Sequence, residues 1–283
     1  MRNIFSRKSN MVIKRILCYL LTAVMVCAFN VTALAGGSNR FSRLRVGDTV
    51  DFGSYEQDNN LSNGKEPIKW IVVETFSDCI KLVSQSILDS RAYVTGIWEA
   101  TWENSDIRRW LNNEFYNTAF NYDEQRLMDL GKNHNQGGYY TPDRAKTYDM
   151  VWLMNLKEIS AYFGSSDKSR ICYSTEYARV NGVYTGQYGS SWWWTRTPGE
   201  NTYHAAYVGN LGNIDYKGNP VNWTGGGIRP VILVSTTREL YSGYYPFGSS
   251  RKDNYNSYMY CSHCGSQIAA DSKYCKYCGY PIK

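Results

Sequence analysis

Histidine is nearly missing from this chain of 283 residues: His134, His204 and His263 are the three present. A Ser/His/Asp relay would need His134 or His204, and no Gly-x-Ser-x-Gly surrounds any serine. Nucleophilic hydrolysis of that kind therefore has no support, and Gly189-Ser190-Ser191 reads as the start of a strand. Cysteine is sparse through the middle, where Cys79 and Cys172 alone stand between Cys27 and Cys261. A single bridge between them remains open, but two unpaired buried thiols are the simpler reading. Surplus charge is lacking too. The whole chain is +6, but residues 1–35 carry five basic and no acidic side chains, which leaves +1 for the remainder. That excludes a basic field for nucleic acid. No repeat with a period of about 20–50 residues is present, which excludes solenoids and propellers.

What is there begins with an export pattern over residues 1–35. Arg2, Arg7, Lys8, Lys14 and Arg15 precede an apolar run from Ile16 to Phe29, and Ala33-Leu34-Ala35 supplies a small-x-small cleavage site. Asn30 and Thr32 interrupt the run, which favours a cleaved signal peptide over an uncleaved anchor. Either way residues 36–283 are expected outside, secreted or on the outer face of the membrane, with membrane contact only through an uncleaved N-terminal segment.

Aromatics are abundant, with 25 Tyr, 9 Trp and 9 Phe. Much of that set belongs in a core, and tyrosine also suits surfaces that meet flat, amphipathic partners. Lys69 to Glu74 and Cys79 to Ser84 predict a hairpin, and Ser105 followed by Ile107, Trp110 and Leu111 predicts an amphipathic helix. Residues 133–146 read as a loop, Tyr148 to Met154 as a strand, and Asn155 as the cap of a helix over 156–163. Ser174 opens one more short helix that Gly182 stops. From Gly186 the pattern is all strand, and Pro230 implies an edge or a break in pairing in the closing run Gly227 to Val234. Residues 238–257 read as a linker. The whole is α+β.

The tail repeats one phrase, Cys261-Ser262-His263-Cys264-Gly265 and Cys275-Lys276-Tyr277-Cys278-Gly279. Two such turns face to face supply four thiolates in a tetrahedron, so Cys261, Cys264, Cys275 and Cys278 are the candidate ligands of a structural zinc ion over residues 258–283. Two disulfides or free thiols are the competing reading, because thiols tend to oxidise outside the cell.

Four further groups carry candidate chemistry. Glu99 and Glu103 stand four apart before a helix start, where charge–dipole placement explains them better than an acid/base pair. Asn213, Asp215 and Asn219 sit in Gly-punctuated turns, which turn chemistry explains without calcium. Arg229 is expected to pair with a structural carboxylate. Trp192-Trp193-Trp194 alternate along a strand, so one face is core and the other displays at least one indole, unless long loops cover both. With Arg196, Tyr203 and Tyr207 these tryptophans form the expected ligand-binding surface.

Several phrases are familiar together: Phe52-Gly53-Ser54-Tyr55, Pro67-Ile68-Lys69-Trp70, Thr101-Trp102-Glu103-Asn104-Ser105 and Arg109-Trp110-Leu111-Asn112. Phe115-Tyr116-Asn117-Thr118-Ala119-Phe120, Trp193-Trp194-Thr195-Arg196-Thr197-Pro198-Gly199 and Ile228-Arg229-Pro230 complete the set. Over about Val46 to Val234 the chain resembles the bacterial domain-of-unknown-function family numbered 6273, and the tail resembles double-knuckle zinc ribbons. The closing pattern is similar to that of formylglycine-generating-enzyme and C-type-lectin-like folds. The resemblance implies a C-type-lectin-like domain over 46–237 with paired terminal strands and long loops. Oxidases of that superfamily use a close pair of copper-binding cysteines, a motif that Cys79 and Cys172 do not match.

The resulting expectation is an exported, non-catalytic binding module for cell-envelope glycan or a surface protein, with a zinc-binding ribbon. The alternative is an enzyme acting on envelope polymers or a remote relative of the formylglycine-generating oxidases.

Overall fold

The β-branched runs on either side of Phe76 to Asp78 close into the hairpin their composition predicts, with Trp70 opposite Ser84 and Val72 opposite Leu82. The structure is a computed structural model that describes residues 39–96, 101–238, 258–261, 267–269 and 272–275. The expected signal peptide, most of the expected linker and much of the tail lie outside the described residues.

Ten strands in two sheets make the body: β1 (Thr49–Tyr55), β2 (Glu66–Thr75), β3 (Cys79–Ser84), β4 (Asp89–Ser90), β5 (Met128–Asp129), β6 (Trp193–Pro198), β7 (His204–Val208), β8 (Ile214–Pro220), β9 (Gly227–Ile228) and β10 (Val231–Ser235). Sheet one has the order β1-β2-β3-β10-β5 and is antiparallel throughout. Sheet two has the order β8-β7-β6-β9-β4, and Trp193 opposite Gly227 is a parallel step. The first and last strands share sheet one, but β1 pairs with β2 and β10 with β3 and β5. The paired terminal strands expected of a lectin-like domain are therefore not formed. The architecture is a mixed helix and strand body in which strands predominate.

Pro230 marks the break its ring chemistry predicts. With no N–H to donate, it cannot continue the ladder. The chain leaves sheet two after Ile228 and joins sheet one at Val231, while the Pro230 carbonyl accepts from the Ser84 amide at 2.9 Å.

Helix starts follow side-chain caps. Ser105 accepts from the Arg108 amide at the start of Asp106–Trp110, and Asn155 with Glu158 forms a reciprocal box at the start of Leu156–Phe163. Thr175, rather than Ser174, caps Glu176–Val180 by accepting from the Ala178 amide, while the Ser191 hydroxyl donates to the Ser174 hydroxyl. Gly182 ends that helix in the left-handed region, at φ 98°. Residues 131–133 pair with 147–149, so the predicted strand over 148–154 is shorter and begins earlier. Among the described residues no helix is long and apolar enough to cross a membrane.

Candidate functional site

The tryptophan strand does not present a binding face. Trp192, Trp193 and Trp194 are all buried, the last two completely. The predicted alternation holds: Trp192 and Trp194 share a side, with ring centroids 4.7 Å apart, and Trp193 takes the other. Both sides are covered by groups from elsewhere in the chain. On one side Tyr93 meets the Trp194 ring edge-on, and the Trp194 indole N–H donates to the Arg91 carbonyl at 3.0 Å. Gly226 permits that closeness, since a Cβ there would stand 1.8 Å from the Trp194 nitrogen. On the other side the Trp193 indole donates to the Arg170 carbonyl, and the Arg229 guanidinium lies over its ring.

Arg196 is likewise interior. It donates to the Leu153 carbonyl and pairs with Glu158. All four of these side chains, expected at the ligand-binding surface, are thus buried against neighbours from the chain itself.

Two other predicted side chains remain near the surface. Tyr207 is half-buried, meeting Trp192 edge-on with its hydroxyl donating to Asp215 at 3.2 Å. Burial and the Asp215 carboxylate hold its phenol above the ordinary range. Tyr203 is 46% exposed. Its carbonyl accepts from the Val221 amide, and the Trp223 amide closes a turn onto the Pro220 carbonyl. Tyr203 and Trp223, the latter 52% exposed, therefore leave neighbouring stretches of backbone at the edge of sheet two. Sequence reasoning missed Trp223. The turn residues around it, Asn222 and Thr224 to Gly226, are the signal that would have placed it outside the core.

The remaining candidates that the structure describes make hydrogen bonds within the body. The Asp215 carboxylate accepts from the amides of Lys217 and Gly218, as turn chemistry predicts. The Ser190 hydroxyl donates to the Asn210 carbonyl. His204 shares a hydrogen bond with Asn201 at 2.8 Å. Glu103 lies in a short 3-10 turn, and Glu99 is outside the described residues. Asp149 is a buried carboxylate that accepts from Arg108, Trp102, Asn133 and Thr147. Cys79 and Cys172 are unbridged; Cys172 is buried and Cys79 half-buried.

An open cavity of about 500 Å³ lies where two of the family-like phrases meet, between Gly53 and Ser54 of β1 and Asn117 to Phe120. Gly53 is at φ 69°, and a Cβ on it would come within 2.6 Å of the Phe120 ring. Its amide donates to Glu124, which lines the same cavity.

In the tail, Tyr258–Tyr260 pairs with Gln267–Ala269. Cys261 and Cys275, one from each Cys-x-x-Cys pair, are buried and near each other. Cys264, Cys278 and His263 lie outside the described residues. One thiol from each knuckle beside the other is what a shared tetrahedral ion needs, so the donor set fits zinc.

A family model described as a domain of unknown function, DUF6273, matches residues 77–236. A second, described as a zinc-ribbon domain, matches residues 260–282. No curated protein and no solved structure matches the chain.

Proposed function

The chain belongs to the DUF6273 family and carries a zinc-ribbon domain, and from that premise we propose that it is an exported, non-catalytic binding module for cell-envelope glycan. The observation that carries this reading is the pair of wet rings, Tyr203 and Trp223, at the edge of sheet two. Exposed aromatic faces beside turn amides suit sugar rings, which are apolar on their faces and polar at their rims. The basic start and apolar run of residues 1–35 support export. Holding rather than transforming is supported by Asp149 and Arg196, whose charges are taken up in structural bonds.

In the ribbon, Cys261, Cys264, Cys275 and Cys278 would hold one zinc ion, which supplies the folding energy that so small a unit cannot draw from a core of its own. Zinc loaded before export would protect the sulfurs from oxidation.

The test is retention of the full, zinc-loaded chain on immobilised envelope polymers. Trp223→Ala is expected to weaken retention about tenfold, the scale of one aromatic contact, with no change in melting temperature. Retention unchanged by that substitution overturns the reading. Release of soluble fragments from the polymer replaces it with the hydrolase alternative, and capture by a surface protein alone replaces the glycan with a protein ligand.

A further inference from the structure

Three carboxylates converge on the loop that joins β1 to β2. One oxygen each from Glu56, Asp58 and Glu66 lies within 4.8 Å of the other two. Two oxygens on a single calcium ion, each about 2.4 Å from it, cannot stand further apart than about 4.8 Å. Such a cluster is common on exposed loops, and by itself says little. Glu56 is what makes this one different. It is 7% exposed, and its Oε1 is buried with no hydrogen-bond donor among the described residues. A buried carboxylate with an unpartnered oxygen, close to two further carboxylates, is costly unless a cation or a proton compensates it.

We propose that Glu56, Asp58 and Glu66 bind a calcium ion that fastens the β1–β2 loop. The frame for it is already built. Tyr55 ends β1 with its hydroxyl bound to Asp89, and the Gln57 carbonyl accepts from the Tyr177 amide, so Glu56 is held from both sides. Glu66 Oε2 accepts from the amides of Gln57 and Asp58, which turns the Glu66 carboxylate into the loop. Asp58 is fixed by the Asn60 amide and the Asn63 side chain. Lys65, the one basic residue between Glu56 and Glu66, sends its ammonium to the Thr118 carbonyl and leaves the carboxylates without an internal counter-ion. All-oxygen donors on an irregular loop suit calcium, which accepts variable geometry, better than magnesium, which demands an octahedron.

Calorimetric titration of calcium chloride into the full, zinc-loaded chain tests this, beside melting curves with and without calcium. One calcium per chain is expected, with a higher melting temperature in its presence. Glu56→Gln and Asp58→Asn are each expected to weaken binding at least tenfold. Asp58 is exposed, so its substitution tests the site even where Glu56→Gln impairs folding. No heat and no melting shift up to about 10 mM calcium, beyond the weakest extracellular calcium modules, overturns the proposal. Binding that survives both substitutions overturns it too, because the ion then sits elsewhere. Neither result bears on glycan retention by Tyr203 and Trp223, so the two readings fail separately.

Discussion

Arg229 lies over the Trp193 ring, its guanidinium carbon 5.1 Å from the centroid, and Phe163 covers it from another side at 4.8 Å. The carboxylate expected opposite Arg229 is replaced by the Ser84 carbonyl, which accepts from its Nε at 3.1 Å. Its Nη1 is buried without a hydrogen-bond partner among the described residues. The residue thus acts as a flat spacer between the sheets at the point where the chain crosses from β9 to β10.

That role predicts an unusual order of damage. Arg229→Met keeps the volume and removes a buried charge, and is expected to cost no more than about 1 kcal/mol. Arg229→Ala leaves a hole beneath Trp193 and is expected to cost about 3 kcal/mol. Chemical denaturation of both variants checks the ranking; a methionine variant as damaged as the alanine one would show that the charge itself matters.

Acid sensitivity is expected from Asp106 and Glu74. Burial opposes ionisation of Asp106, but bonds from the Thr95 hydroxyl and amide and the nearby Arg109 outweigh it and hold its carboxyl below the usual range. Burial likewise opposes ionisation of Glu74, and bonds from Lys81 and Tyr162 outweigh it. A depressed folded value means stability that is present in full above the unfolded carboxylate range and is lost as pH falls through the folded value. Melting temperature should therefore fall between about pH 5 and pH 3, and less steeply in the Asp106→Asn, Glu74→Gln double variant. Parallel curves for the two proteins would assign the acid loss to other groups.

The two thiols of the body should be slow to react. Burial first, then Asp78 and Asp129, push the Cys79 thiol up to about 11. Burial raises Cys172 as well, against the opposing pull of Arg229. At pH 8 about one Cys79 in a thousand is thiolate. Alkylation followed by mass spectrometry should find both nearly unlabelled in the folded chain, with Cys79 gaining label as pH approaches about 11. Rapid labelling at neutral pH would mean that the body opens around them.

Legibility in the sequence followed the range of the forces involved. The β2–β3 hairpin, the Ser105 and Asn155 caps and the Pro230 break all depend on neighbours within a few residues, and they formed where expected. The alternation of Trp192, Trp193 and Trp194 is also local and held. That neither of their faces meets water depended on Arg91, Tyr93, Arg170 and Gly226, remote in the chain, and that was not readable. Trp223 was hidden for the opposite reason: a single indole in a turn carries no periodicity. The pairing of β10 with β3 rather than β1 is likewise set by register across the whole body.

The central claim is that Trp223 and Tyr203 meet the ligand while Trp192, Trp193 and Trp194 only support the sheet. Oxidative footprinting of the full chain, read residue by residue with and without envelope polymer, tests it most directly. The account predicts modification at Trp223 and Tyr203 that the polymer suppresses, with Trp192 to Trp194 unmodified in both states. Modification at Trp192, Trp193 or Trp194 in the free chain that disappears on adding polymer would contradict it.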